Sequence, residues 1–476
     1  MARTASDPTL ARPEAGRHAT GRPRSRRPGL ASMAVPQGTP ATIQAMIALL
    51  IILAIAWGAI GAWAMDQHAS AASSLAHSDE PYSSDAQQLY LAIADADVTI
   101  TTSFLHDSST QAPPSSLAAR QRFNHDLIAA SGYLADLRNP GGNPQFTQAV
   151  ATLAGGMSDY YRDVQTAQTE YVQGITPAGD SAMEVASEDA HLTLLPAAKQ
   201  LYQLENNAVM ASSSQATSLT TVIVAFIVAI IAAIALFMVQ RWLGRRTHRV
   251  FNVGLVVASA ALLVSALWLA GAFVTARSDL NTAIGQGAHP AESLAQASID
   301  VQQIRGDSIL NVIARSGDSS LSEDSCGQAL QVGPSPSSLP ADFCSKGLAW
   351  PSGSGSLPGT LLGNASSAGN AQVTADLQTA ISRAPAWYTT NAADYGLGGK
   401  NLYPSEQANV FNAATSFAAV ENSVNNALAA AQLTFGAQAN AGANAFGPVE
   451  VVVIIAALIM ALASAWGLST RLGEYR

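Results

Sequence analysis

The sequence lacks the residue patterns that most enzymes and metal-binding proteins carry. Its 476 residues include only 2 cysteines and 8 histidines, and charged residues make up 12 % of the chain. It has no glycine-rich phosphate loop, no His-Glu-x-x-His zinc motif and no nucleophile elbow. No two histidines have the i, i+4 spacing, with a neighbouring acid, of a metal site on a helix. These absences predict a protein that is not an enzyme and that uses no cofactor and no metal.

In place of such motifs, the sequence has four long apolar runs. They are Ile43–Met65, Leu219–Val239, Phe251–Val274 and Val449–Leu468. Each has the roughly 20 residues that a helix needs to cross the hydrocarbon core of a bilayer. They predict transmembrane helices over 43–65, 217–240, 250–274 and 448–468. None has a charged residue in its middle, which argues against a transporter, since transporters usually mark their pathway with such residues or with broken helices.

We expect the first run to be retained as an anchor, although a cleaved signal peptide is the alternative. A signal peptide has an apolar core of about 7–15 residues that ends at a small-residue cleavage site. Ala62-Trp63-Ala64 resembles such a site, but the run is longer and follows a tail of about 40 residues. That tail, residues 1–42, is rich in arginine and proline and has no periodic apolar pattern, so we expect it to be disordered.

Charge predicts the orientation of the chain. Arginines concentrate in the N-terminal tail, in the short central loop 241–249 and in the C-terminal tail 469–476. The two long segments have the opposite sign: 17 acids and 5 bases in Asp66–Ala216, and 12 acids and 6 bases in Thr275–Gly447. Because short basic loops stay in the cytoplasm, we expect a multi-pass plasma-membrane protein with both termini inside and both long segments outside. The acidic outer segments argue against nucleic acid as a partner, whereas the arginines suit anionic membrane lipid.

Each long segment has the apolar spacing of a helical bundle. The clearest seam alternates steps of four and three, which is typical of helices packed nearly parallel; it consists of Phe146, Val150, Leu153, Met157, Tyr160, Val164, Ala167 and Tyr171. Helix connections are expected at Pro81, Pro113-Pro114, Pro140-Gly141-Gly142 and Pro177-Ala178-Gly179. We therefore predict an all-α membrane protein with four transmembrane helices and two tandem extracytoplasmic bundles, 66–216 and 275–447. The plan reads as a duplicated unit of membrane helix, bundle and membrane helix.

The second bundle carries an insertion over 317–370 that is rich in Ser, Gly and Pro. It contains both cysteines, Cys326 and Cys344. An oxidising compartment permits a disulfide, and a Cys-x17-Cys spacing without nearby histidine does not suit a metal. We predict a structural disulfide, which would stabilise the folded domain by about 3 kcal/mol in the chain-entropy model.

Charged residues on the bundle seams are the candidate contact sites. They are Asp95 and Asp97 in the first bundle, and Asp300, Arg305, Asp307 and Arg315 in the second. Carboxylates and an arginine at a seam could bind the amino or carboxylate group of a ligand. They could equally form interhelical ion pairs or lie on solvated faces.

Residues at the cytoplasmic ends of the membrane helices are candidates for relaying a signal. They are Arg241, Arg245, Arg246 and Arg249 of the central loop, and Glu474, Tyr475 and Arg476 of the tail. The arginines could also do no more than set the topology and contact lipid. The cytoplasmic pieces together are too short to form an output domain with its own core.

Several segments resemble the GlnX family of four-helix membrane proteins in the actinobacterial amino-acid-sensing pathway. The resemblance rests on the tandem plan and on three short segments: Ala94–Asp97, Arg305–Leu310 followed by Ile313-Ala314-Arg315, and the closing Arg471–Arg476. It implies a signal relay that couples an extracytoplasmic glutamate- or aspartate-binding lipoprotein, GlnH-like, to a cytosolic Ser/Thr kinase, PknG-like. In this pathway the kinase controls nitrogen and carbon metabolism. Whether the protein also forms a homo-oligomer is left open by the sequence.

Two other functions stay open from the residues alone. One is a direct small-molecule sensor of the chemoreceptor-like bundle type, which a pocket at the level of Asp95 and Arg305 would favour. The other is a structural protein of the cell envelope, which predicts no ligand-dependent effect.

Overall fold

A computed structural model describes residues 39–107, 115–137, 142–247, 252–314, 319–333, 360–395 and 403–473. Within these ranges the chain is helical, with no strand, and four helices are long and apolar enough to cross a membrane. The predicted all-α class with four membrane helices is confirmed.

Fourteen α-helices and three π-helical segments follow one another in the described residues. The α-helices are α1 Thr39–Ser74, α2 Glu80–Asp107, α3 Ser115–Asp136, α4 Pro144–Val172, α5 Thr176–Asp189, α6 Leu195–Ala216, α7 Thr220–Thr247, α8 Val253–Thr282, α9 His289–Ala314, α10 Ser319–Val332, α11 Leu361–Ser367, α12 Ala371–Tyr395, α13 Tyr403–Phe446 and α14 Val449–Gly473. The π-helical segments are Leu75–Asp79, Ala190–Leu194 and Ala283–Ala288. We call residues 75–216 the first domain and residues 283–446 the second domain.

Helices α1, α7, α8 and α14 form the membrane segment. α1 and α8 each pack against both α7 and α14. Small residues allow close approach, as is common between membrane helices: a Cβ on Gly58 would lie 2.7 Å from the Cβ of Ala457. In the interior, Trp57 Nε1 of α1 donates to Ser265 Oγ of α8 at 3.2 Å, and both residues are fully buried. We call the end of this segment that meets the two domains the domain side, and the end that joins α7 to α8 the loop side.

Two membrane helices continue into the domains without a break, and two are interrupted. α1 joins α2, and α8 joins α9, through π-helical segments whose flanking residues keep helical dihedral angles. By contrast, the helix is interrupted between Ala216 and Thr220, and again at Gly447 and Pro448. Of the four membrane helices, therefore, only α1 and α8 continue as unbroken helices into the domains.

The expected helix connection at Pro81 is wrong, because the helix runs through it. Proline lacks an N–H, and its ring collides with the carbonyl four residues earlier, so it normally breaks a helix. Here a π-helical segment ends two residues before Pro81, and the same arrangement recurs at Pro196 and Pro290. The wider π turn makes room for the ring. The connection expected at Pro177 lies at the start of α5, whereas Pro113, Pro114, Pro140 and Gly141 lie outside the described residues.

His68 lies where the membrane segment meets the domains and contacts α7, α8 and the end of α13. It lies on α1 and is 1 % exposed. Its Nδ1 lies 2.9 Å from the carbonyl oxygen of Ala216, at the interruption before α7, and its Nε2 lies 2.7 Å from Thr221 Oγ1. The ring packs on Phe273 of α8 and on Phe446, the last residue of α13 before α14.

The two domains share a buried core. Ile299, Ile309 and Val312 of α9 belong to the same apolar cluster as Leu89 and Ile93 of α2. α9 also packs on α5 of the first domain. Most of the α4 seam predicted from the sequence faces this core, and Leu153, Tyr160 and Val164 are fully buried. In the second domain, the predicted insertion contains helices α10 and α11, which pack on α9.

Glu205 on α6 gives the first domain a specific dependence on pH. Burial, and secondly the charge of Asp79, raise the pKa of Glu205 from 4.5 to about 7. The folded protein therefore holds a proton that the unfolded chain releases, and this carboxyl group weakens the fold as the pH rises from about 4.5 through 7. Glu205→Gln should raise stability at pH 8 by about 1–2 kcal/mol, after allowance for screening by water, and should have little effect at pH 4.5.

Thermal unfolding of the full-length protein in detergent at the two pH values measures this difference. Glu184→Gln is the matched control, since Glu184 lies on the exposed surface of α5. Equal effects of the two substitutions at pH 8 would contradict the prediction.

Candidate functional site between the two domains

The charged segments predicted from the two halves face each other where α2 meets α9. The backbone of α9 approaches α2 at Gly306, where a Cβ would lie 3.5 Å from Val98 Cγ2 and 3.8 Å from Asp97 Oδ2. Hydrophobic residues on both helices surround this approach. The polar groups at the contact are therefore removed from water and must find partners within the protein.

Asp97 and Asp307 lie on opposite sides of this contact, and His191 lies between them. Asp97 is 1 % exposed and accepts hydrogen bonds from Tyr160 Oη at 3.0 Å and from Ser187 Oγ at 2.9 Å. His191 Nε2 is 3.2 Å from Asp97 Oδ2, and its Nδ1 is 3.7 Å from Asp307 Oδ1. One imidazole ring thus bridges a carboxylate of each domain.

Asp307 is anchored within the second domain as Asp97 is within the first. It is 2 % exposed and accepts from Ser325 Oγ of α10 at 3.0 Å. A carboxylate can only accept hydrogen bonds, so the nitrogen of His191 next to Asp97 carries the hydrogen. His191 lies in the π-helical segment 190–194, a type of distortion that is frequent at functional sites.

Asp95 lies in a different environment, at an open cleft. Its carboxylate accepts hydrogen bonds from one edge of the Arg122 guanidinium: Nε lies 3.0 Å and Nη2 2.7 Å from Oδ2. Arg122 remains largely exposed, so we expect the pair to contribute less to stability than a buried pair would.

The cleft has a volume of about 370 Å³ and lies between α2 and α3 of the first domain and α9 and α13 of the second. Its charged residues are Asp95, Arg122, Asp126 and Glu421, with His125 beside them. Burial, and secondly the charge of Asp95, raise the pKa of Asp126 to about 6. Burial is also the main cause that raises the pKa of Glu421. Three carboxyl groups against one arginine give the cleft an acidic character.

Two further predicted contact residues are buried elsewhere. Arg305 is 3 % exposed, donates from Nη1 to the carbonyl oxygen of Val410 at 2.8 Å and lies over the ring of Phe417. Arg305 therefore anchors α9 to α13 and does not line the cleft. Asp300 is also buried, accepts from Gln296, and has a pKa raised to about 6, with burial as the main cause.

Sequence reasoning did not identify several residues of this region as functional candidates: Arg122, Asp126, His191, Gln302 and Glu421. Each reaches the site through long-range packing, and a single sequence carries no signal of such packing. Among the described residues, no group of three or more His, Cys, Asp or Glu is placed to hold a metal ion.

The predicted relay residues are described only in part. Arg241 and Arg245 are exposed at the end of α7. The side chain of Arg246, and the whole of Arg249, Arg315, Glu474, Tyr475 and Arg476, lie outside the described residues. Cys326 is disulfide-bonded, and Cys344 lies outside the described residues.

Residues 71–214 match the model of a family described as an actinobacterial sensor domain. This stretch covers nearly all of the first domain, including Asp95, Asp97, Arg122 and His191. No curated protein and no solved structure matches the chain. A domain of the sensor type, on a scaffold with four membrane-length helices, points to a sensing or signalling role in the membrane.

Proposed function

We propose that the protein is a transmembrane signal relay. An amino-acid-binding protein outside the cell, GlnH-like and specific for glutamate or aspartate, engages the two domains. The packing of the domains then changes, and the loop side alters how a cytosolic Ser/Thr kinase, PknG-like, is engaged. The match of the first domain to a sensor family and the exposed Arg241 and Arg245 at the end of α7 away from the domains support this assignment.

The observation that carries the proposal is the helical continuity from the domain contact into the membrane. α2 and α9 hold the contact between the domains, and each is the direct extension of a membrane helix, α1 or α8. A helix shift of the usual 1–2 Å at such an interface would therefore move α1 and α8. His68 then passes that movement to α7 and to the junction of α13 with α14, because it contacts all of them.

An apolar groove on the first domain is the surface we assign to the binding protein. The groove has a volume of about 990 Å³ and lies between α3 and α4. Ile128 lines it with 70 % of its surface exposed, and Tyr161 lines it with 44 % exposed. Large exposed apolar side chains grouped around a groove are typical of protein interaction sites.

Capture of partners from native membranes tests both the function and the surface. With glutamate and aspartate present, cross-linking and mass spectrometry should recover a solute-binding lipoprotein and a Ser/Thr kinase with the full-length protein. Ile128→Asp should lower recovery of the lipoprotein about tenfold or more, as expected when a charge replaces an apolar contact at the centre of an interface. Leu117→Asp is the matched control, since Leu117 is also on α3 and 63 % exposed but does not line the groove.

Recovery of neither partner, from membranes in which the protein is intact, would contradict the relay. Equal loss of the lipoprotein with both substitutions would contradict the docking surface alone and leave the relay standing.

A further inference from the structure

The cleft between the domains contains acceptor atoms without donors. Gln302 of α9 lines it, is 4 % exposed, and its Oε1 has no hydrogen-bond partner. Asp126 Oδ2 on the opposite helix α3 has none either. Buried polar atoms in folded proteins are nearly always hydrogen-bonded. Two orphaned acceptors in one cleft indicate that a donor binds there.

The orientation of the Gln302 amide is fixed by its neighbour. Its side chain hydrogen-bonds Glu421 and thereby favours the charged form of that carboxyl group. Since a carboxylate only accepts, the amide nitrogen of Gln302 must be the group that faces Glu421. The amide oxygen is therefore turned away from Glu421 and is free to accept from a ligand.

The charges of the cleft select a cation. Asp126 has His125 Nδ1 at 3.3 Å from its other oxygen, and Arg122 Nε is 3.9 Å from Oδ2, beyond hydrogen-bond distance. Arg122 is already engaged by both oxygens of Asp95. An anionic ligand would have to displace Asp95 and face Glu421, whereas an ammonium group faces three carboxyl groups and one guanidinium whose charge Asp95 already compensates.

The other lining residues are partly polar, namely Gln88, Tyr133, Ser298, Asn425 and Gln432, and partly apolar. The apolar ones suit a short hydrocarbon chain. Leu91 and Ala92 come from α2, Ala129 from α3 and Leu428 from α13. A volume of about 370 Å³ is at the small end of ligand pockets. From this geometry we propose that the cleft binds a small aliphatic amine, whose ammonium group donates to Gln302 Oε1 and Asp126 Oδ2 while its carbon chain packs on the leucines.

Such a ligand would contact both domains at once. Gln302 and Leu428 belong to the second domain, and Asp126 and Leu91 belong to the first. Binding would stabilise one packing of α2 and α3 against α9 and α13. The site gives the protein a direct small-molecule input, in addition to the input from a binding protein.

Calorimetry on the full-length protein in nanodiscs, with no partner present, tests the site. The probes are 1,4-diaminobutane and butylamine, with 1,4-butanediol as the neutral control of matched length. We expect both amines to bind and the diol not to bind. Gln302→Met, which removes the acceptor at similar size, and Asp126→Asn should each weaken amine binding about tenfold or more. Asp159→Asn, on the exposed surface of α4, should leave amine binding unchanged.

Ala129→Leu gives a second test that keeps every polar group. It fills the cleft from α3 and should abolish amine binding without altering the charges. No binding of either amine, or binding that is equal in the wild type and in all four variants, would overturn the proposal. The assay contains no partner, so its failure would leave the relay untouched, and failure of the partner capture would likewise leave this site untouched.

Discussion

Replacing Asp97 with leucine should lower the free energy of unfolding of the first domain by about 3–5 kcal/mol. The substitution removes the acceptor of three donors at once: Tyr160 Oη, Ser187 Oγ and His191 Nε2. Each donor is left without an acceptor in an interior that excludes water, and an unsatisfied buried group costs about 1–3 kcal/mol. The bridge to Asp307 should be lost as well, since His191 would no longer be held from the first domain.

Thermal unfolding and limited proteolysis of the full-length protein measure this loss. Asp97→Asn should have a smaller effect, because the amide oxygen still accepts, although its NH₂ group faces other donors. Asp159→Asn is the control, since Asp159 pairs with the exposed Arg162 and should change stability by less than about 0.5 kcal/mol. A change below 1 kcal/mol for Asp97→Leu would mean that the network does not hold the domain together.

Replacing Gly254 with valine should separate α8 from α14 on the loop side and destabilise the membrane segment by about 2–3 kcal/mol. A Cβ at Gly254 would lie 2.6 Å from the Cα of Gly467 and 2.8 Å from its nitrogen. Backbone atoms cannot rotate away, so the two helices must move apart. That movement would break the hydrogen bond from Asn252 Nδ2 to the carbonyl oxygen of Gly467, now 2.7 Å long.

Gly271→Val on the same helix is the matched control. A Cβ at Gly271 meets nothing within 4 Å, so the added side chain should be accommodated. The yield of cross-linking between cysteines placed on α8 and α14 near the loop side measures how far apart the two helices lie. If the two variants cross-link and unfold alike, α8 and α14 do not depend on the close contact at Gly254.

The architecture could be predicted from the sequence because its signals are local. Length and hydropathy identify a membrane helix without reference to the rest of the chain, and all four runs correspond to such helices. The spacing of Leu153, Tyr160 and Val164 likewise predicts which face of α4 is buried. Pro81 shows the limit of such rules, since a π-helical segment just before it lets the helix continue.

The candidate site could be predicted only in its parts. Asp95 and Asp97 are two residues apart on one helix, yet one lines a cleft and the other joins a buried network. That difference depends on α3, α4 and α9, which pack on α2 from distant parts of the chain. For the same reason no local pattern could show that His191 would bridge the domains, or that Arg305 would turn toward Val410.

In the proposed relay, the contact between the domains controls the loop side of the membrane segment. Spin labels at Arg241→Cys on α7 and Ser469→Cys on α14 report the distance across the loop side of the protein in nanodiscs. Asp307→Asn weakens the bridge to His191 and alters no residue of the membrane helices. We expect it to shift the mean label distance by about 1–2 Å, or to split the distance distribution, with Asp159→Asn matching the wild type. Identical distributions in all three proteins, with the fold intact, would contradict the account.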